Sequence, residues 1–195
     1  MGNTVGSLTK LERQIIVGSL LGDGYMRIIP ARSDAFLEIN HSIKAKEYVD
    51  YKFDSLKRLC KSAPKERVTN EGRIAYRFFT RQYKVLTDLH NQFYRYGKKK
   101  IPIDLVIDPV LLSVLYMDDG SRSRDRDVYL NTQQFSIADQ KKLLYCLRSL
   151  DIRARMNKDK QYFRIRIMKE SIATFMKIIA PYVIDSMKYK LVITP

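Results

Sequence analysis

Ile16-Val17-Gly18-Ser19-Leu20-Leu21-Gly22-Asp23-Gly24 is apolar on nearly every side until it stops at an acid and a glycine. With the preceding residues from Leu11, it predicts a helix buried all round that ends at Leu21. Gly18 and Gly22 stand four apart and leave a notch where another backbone can approach. A glycine inside a helix costs about 1 kcal/mol against alanine, so two of them ask for a packing reason. Ninety-six residues after Asp23-Gly24 comes Asp119-Gly120, just past a second apolar helical run, Val110–Met117, in the stretch Leu112 to Gly120 (LSVLYMDDG). Asp108-Pro109 opens that run as N-cap and first helical residue.

The same order of elements follows each run. Two strand-like stretches come first, Tyr25–Ile29 and Ala35–His41, then Ser121–Arg124 and Val128–Gln134. Amphipathic helices are expected over Lys44–Cys60 and Ile137–Leu150. Hairpins follow over Lys65–Arg81, turning at Asn70-Glu71-Gly72, and over Ile152–Met168, turning near Asn157-Lys158-Asp159. Helices over Gln82–Tyr96 and Ser171–Ile184 close the halves, each leading into a lysine-bearing segment. The expected fold is therefore α+β, two pseudo-symmetric α-β-β-α-β-β-α repeats. Residues 1–97 read as the first repeat, 98–107 as a basic, proline-bearing linker, and 108–195 as the second repeat.

Thirty-six Lys and Arg face 21 Asp and Glu, a net charge of +15. So much self-repulsion gives a fold nothing by itself and points to a polyanionic partner. Two cysteines, Cys60 and Cys146, and two histidines, His41 and His90, lack ligand spacing, which argues against zinc. Buried, reduced thiols fit an intracellular setting, either an organelle or a prokaryotic cytoplasm. No apolar run reaches spanning length, and no signal peptide is visible, so no membrane partner is expected. The Met1-Gly2 start lacks the Ser or Thr at position 6 that myristoylation needs, since Gly6 stands there.

The hairpins alternate. Arg73, Ala75, Arg77, Phe79 and Arg81 share one strand face, against Ile74, Tyr76 and Phe78 on the other. Arg153 and Arg155 oppose Ile152, Ala154 and Met156, while Arg164 and Arg166 oppose Phe163, Ile165 and Ile167. A solvated face normally mixes both signs, and these rows are nearly pure arginine, whose planar fork suits phosphates and guanine edges. Tyr25, Arg27, Arg124 and Arg126 join them as candidate DNA contacts.

Asp23 and Asp119 are electrostatically ill placed, because a helix C-terminus carries roughly half a negative unit charge. An isolated Asp-Gly is simply a helix stop or turn. Two of them at matching places in a repeat point instead to divalent cations, bound by carboxylates and terminal carbonyls as hard oxygen ligands.

Ile16–Gly24 and Leu112–Gly120 resemble the paired signature motifs of the LAGLIDADG homing endonucleases, and the doubled element order resembles their single-chain, two-repeat members. The resemblance implies motif helices paired at the interface of the halves and antiparallel sheets forming a saddle over the DNA major groove. It makes Asp23 and Asp119 catalytic metal ligands, with the carbonyls of Gly22 and Asp118 as further ligands. It also implies a lysine late in each half that polarises the scissile region. Lys100 and Lys190 are the candidates, with Lys99 or Lys188 equally eligible and plain phosphate contacts as the alternative. His41 and Gln134 fall near the water-positioning place of relatives, where an ordinary solvated strand-end role fits as well. Two departures stand out: Val114 replaces Gly18, and Asp118 replaces Gly22.

The expectation is a monomeric, site-specific endonuclease for intron homing that hydrolyses one phosphodiester per strand of double-stranded DNA. Magnesium is the expected cofactor, two ions or three with a shared central one, and Mn2+ or Ca2+ could substitute for binding. An RNA maturase acting on its host intron RNA and a catalytically silent DNA-binding regulator are the rivals. The closeness of the first motif to Met1 argues against an intein-embedded form.

Overall fold

Thr9 caps the first helix, α1 (Lys10–Leu21), in a computed structural model that describes residues 6–69, 72–123 and 127–191. Its hydroxyl accepts the Glu12 N–H at 3.2 Å, and the Glu12 carboxylate accepts the Thr9 N–H at 2.7 Å. This reciprocal box satisfies two orphan donors and is worth about 1 kcal/mol. Arg58 also donates to Glu12, at 2.9 and 2.6 Å. Burial alone would raise the Glu12 carboxyl, but these bonds outweigh it and hold it below its ordinary value.

The described residues divide into two units, one up to residue 91 and one from residue 92. In the first, α1 leads to β1 (Tyr25–Ile28), β2 (Ala35–Ser42), α2 (Lys46–Leu56), β3 (Lys65–Val68), β4 (Ile74–Phe79) and α3 (Lys84–Phe93), whose last two residues fall past the boundary. The strands form one antiparallel sheet in the order β1-β2-β4-β3. Ile15, Ile16, Leu20 and Leu21 of α1 are fully buried, as are Met26, Leu37 and Ile39 of the sheet and Val49 and Leu56 of α2. The expected Lys44–Cys60 helix is tightened into 3-10 turns at Ile43–Ala45 and Lys57–Leu59, on either side of α2.

The second unit begins with β5 (Tyr94–Arg95) and β6 (Lys98–Lys99), a small antiparallel pair. Then come α4 (Pro109–Asp119), β7 (Gly120–Ser123), β8 (Asp127–Leu130), α5 (Ile137–Arg148), β9 (Ala154–Asp159), β10 (Tyr162–Ile167) and α6 (Lys169–Ile179). Its sheet order, β7-β8-β10-β9, repeats that of the first unit. Asp108 is the N-cap of α4, with its side chain accepting the Leu111 N–H at 3.0 Å. The stretch read as a linker lies along α5: Lys142 donates to the Ile101 carbonyl at 2.7 Å, and the Cys146 thiol to the Leu105 carbonyl at 3.1 Å.

Three local expectations are corrected. The hairpin of the second unit turns at Lys160-Gln161, with Lys160 at φ 55°, because β9 stays paired through Asp159↔Tyr162. β8 stops at Leu130, so Gln134 lies in the following turn, off the strand. The second motif helix runs through Asp119, whereas the first ends at Leu21 with Gly22 as its C-cap. Asn70, Glu71, Arg124 and Arg126 lie outside the described residues. Among the described residues, no helix is long and apolar enough to cross a membrane.

Candidate active site

Each motif ends on a glycine that nothing larger can replace. A Cβ on Gly24 would lie 2.7 Å from the Ser19 Cβ and 2.8 Å from its carbonyl oxygen. The Gly24 N–H donates to that same carbonyl at 2.7 Å. A Cβ on Gly120 would collide with both the ring and the carbonyl oxygen of Tyr116. Both glycines let the chain fold tightly across the end of its helix and enter a strand at once. That reversal presents the preceding aspartate at the helix end.

In the first unit Asp23 is exposed, and its carboxylate lies 3.7 Å from Nδ1 of His41. His41 is on β2, on the same face as the buried Leu37 and Ile39, and its side chain is 11% exposed. The Tyr48 ring of α2 packs against it at 5.4 Å between centroids. In the second unit Asp119 is half-buried and accepts a hydrogen bond from the Gln134 amide at 3.3 Å. Its carbonyl accepts the Asn131 N–H at 2.8 Å, which ties the helix end to the residue that follows β8. Each unit thus brings its motif aspartate together with the polar residue singled out for it.

Lys190 reaches the C-terminal end of α4. Its ammonium donates to the Met117 carbonyl at 2.5 Å, with the Asp118 and Tyr116 carbonyls at 3.4 and 3.5 Å. A cation suits the negative end of a helix dipole. The segment is clamped there by the Tyr116 hydroxyl donating to the Lys190 carbonyl at 2.7 Å and by Arg122 donating to that of Leu191 at 2.8 Å. Burial pushes the Tyr116 phenol up to about 12, against a smaller opposing pull from Arg122, so it stays a donor. Lys188 instead pairs with Asp185 at 2.6 Å. The Lys100 N–H donates to the Phe93 carbonyl at 2.8 Å, and Lys99 belongs to β6.

The arginine faces are less pure than alternation suggests. Glu38 lies 3.7 Å from Arg27 and 3.5 Å from Arg77, and Asp127 lies 2.5 Å from Arg166. Arg164 donates to Asn131 at 3.3 Å and sits over the Tyr129 ring, 3.9 Å from its centroid. Tyr25, Arg73, Arg81, Arg153 and Arg155 are exposed. Reading one strand at a time missed Glu38 and Asp127, because they come from neighbouring strands and meet the arginines only through sheet register.

A model of the LAGLIDADG DNA endonuclease family matches residues 13–175. The chain belongs to that family. Among LAGLIDADG relatives, the cytochrome b mRNA maturase bI2 of Saccharomyces cerevisiae is 30% identical over 98% of this chain and 49% of its own length. The chain thus spans about half the length of that relative. DNA endonuclease I-ChuI of Chlamydomonas applanata is 27% identical, covering 94% of this chain and 95% of its own. The solved structure of the homing endonuclease I-WcaI bound to its DNA recognition sequence superposes with a TM-score of 0.87 at 24% identity, over 100% of this chain and 96% of that one. That of I-DmoI in complex with DNA and Ca superposes at 0.56 and 17% identity, over 87% and 88%. The fold is that of the LAGLIDADG homing endonucleases, with two similar halves.

Proposed function

We propose that the chain is a site-specific endonuclease that hydrolyses one phosphodiester on each strand of a double-stranded DNA target, with Asp23 and Asp119 each serving one strand. The observation that carries this reading is the repeated pairing of a motif aspartate with a polar neighbour, Asp23 with His41 and Asp119 with Gln134.

The donor set fits magnesium or calcium. The carboxylates of Asp23 and Asp119 and the carbonyls of Gly22 and Asp118 are hard oxygen donors, and at each motif end they come from adjacent residues. A divalent cation held there would neutralise charge on the attacking and departing oxygens of the phosphodiester. The chain's own residues would do the rest. His41 and Gln134 orient the aspartates and the attacking water, and Lys190 brings a positive charge to the end of α4. Lys100 is proposed for the corresponding role in the other half. The arginine-bearing strand faces hold the duplex, so affinity should fall steeply with salt.

The test is incubation of the purified chain with a library of double-stranded plasmids in magnesium, followed by sequencing of the broken ends. Breaks at one recurrent sequence, abolished by a chelator, are expected. Random breaks or none would refute the reading. The maturase likeness over 98% of the chain favours splicing assistance as a second reading. It predicts tighter binding of an intron RNA than of any duplex.

A further inference from the structure

Glu38 stands where a DNA-binding surface should least tolerate an acid. On the exposed face of the first unit's sheet it lies between two arginines, and its side chain is only 15% exposed. One carboxylate oxygen faces Arg27 at 3.7 Å and the other faces Arg77 at 3.5 Å. Each guanidinium also lies over a phenyl ring, Arg27 over Phe36 and Arg77 over Phe79, both 5.1 Å from the centroid. The two rings meet edge to face at 5.9 Å. Register builds the cluster: Arg27 opposes Phe36 across β1 and β2, and Glu38 opposes Phe79 across β2 and β4.

We infer that Glu38 is a positioning residue that sets Arg27 and Arg77 as one reading unit for two neighbouring guanine-bearing base pairs of the target. The inference rests on the DNA-cleavage reading above. An untethered arginine is drawn to phosphates, which strengthens binding but conveys no sequence. A carboxylate beneath two guanidinium groups offsets that attraction, and the rings below set their planes. Both ion-pair distances exceed those of N–H···O hydrogen bonds, so Glu38 does not consume the forks. The forks keep their donors for the O6 and N7 acceptors of guanine. Stability alone accounts poorly for the arrangement, because partly exposed ion pairs contribute little.

The second unit uses the same register positions differently. The pair Glu38↔Phe79 corresponds to Tyr129↔Arg166, and Phe36 corresponds to Asp127. There the acid and the ring have exchanged places, with Asp127 holding Arg166 and Tyr129 lying under Arg164. In the second sheet the acid and the ring thus serve different arginines, whereas in the first one acid lies between two arginines that each cover a ring. The two half-sites should therefore differ in how sharply they are read.

The experiment compares the wild-type chain with Glu38→Gln on randomised DNA duplexes in magnesium, scoring base preference at every position together with the thermal midpoint. Glu38→Gln should lose about tenfold or more of its preference at two adjacent base pairs of one half-site. The other half-site and the midpoint should be almost unchanged, and dependence on salt should steepen. Arg77→Lys, which keeps the charge and loses the fork, should relax preference at one of the same base pairs, and it serves as the test should Glu38→Gln fail to fold. An unaltered preference profile in the folded variants would overturn the inference. A wild-type chain that selects no sequence at all would overturn the cleavage reading, and this inference with it.

Discussion

The two motif ends present their aspartates by different backbone routes. In the first, α1 stops at Leu21, Gly22 turns the chain out of the helix at φ −105° and ψ −133°, and Asp23 lies beyond the helix. In the second, Asp118 takes the place of Gly22, α4 continues through Asp119, and Gly120 is the C-cap. The partners differ accordingly. His41 still belongs to its strand, whereas the residue at its register position in the second unit, Thr132, is fully buried and donates to Gln140 at 3.1 Å. Gln134, two residues later and free of the strand, reaches Asp119 instead. Repeat symmetry is thus kept at the carboxylates and relaxed in whatever supports them.

The largest effect should come from the motif glycines. Gly120→Ala meets the Tyr116 ring and carbonyl oxygen and should destabilise by about 3 kcal/mol, while Gly24→Ala meets the small Ser19 side chain and its carbonyl oxygen less closely and should cost about 2 kcal/mol. Urea titrations would read the difference, and equal costs would mean that the two reversals are equally tight. Next come the supports. His41→Ala should slow cutting of one strand about a hundredfold, because a displacement near 1 Å costs about that much. Gln134→Ala should slow the other strand by only about tenfold, since the Gln134 side chain is exposed and its bond long. Strand-specific end labels on a target duplex would separate the two rates. A uniform loss on both strands would show that the supports do not divide between strands.

The smallest effects concern the first helix and the thiols. Glu12→Gln should cost about 1 kcal/mol at neutral pH. The folded carboxyl lies below its ordinary value, so its contribution is present above the unfolded pKa and is lost as pH falls through the folded one. Thermal midpoints of wild type and variant should therefore converge in acid, and a constant gap would contradict this. Burial pushes the Cys60 thiol up to about 12 and raises that of Cys146, so both should alkylate slowly at neutral pH in the native protein. Rapid labelling would show an open core.

Much of the fold could be read along the chain, because its signals are local. The Asp108-Pro109 cap, the two apolar runs and the alternation of β4 and β10 each lie within a dozen residues and predict their own structure. What escaped depends on neighbours. Asn157-Lys158-Asp159 looks like a turn, yet those residues stay in β9 because pairing with β10 outweighs their turn preference. Gln134 looked like part of a strand because an alternating pattern cannot show where the partner strand ends. The carboxylates of Glu38 and Asp127 stayed invisible because alternation tells which residues of one strand share a face, not what stands beside them on the next. In the proposed site, Asp23 and Asp119 are legible in the motifs and His41 and Gln134 only through the family resemblance, while the seat of Lys190 on the α4 carbonyls needs the folded chain.

Cleavage of a supercoiled plasmid bearing the target, with magnesium, tests the central claim most directly when wild type is run beside Asp23→Asn and Asp119→Asn. Loss of a cation's charge stabilisation, about 4 kcal/mol, should slow linearisation by about a thousandfold in each variant while gel-shift affinity for the site persists. Linear product formed at the wild-type rate by both variants would contradict the assignment of one aspartate to each strand.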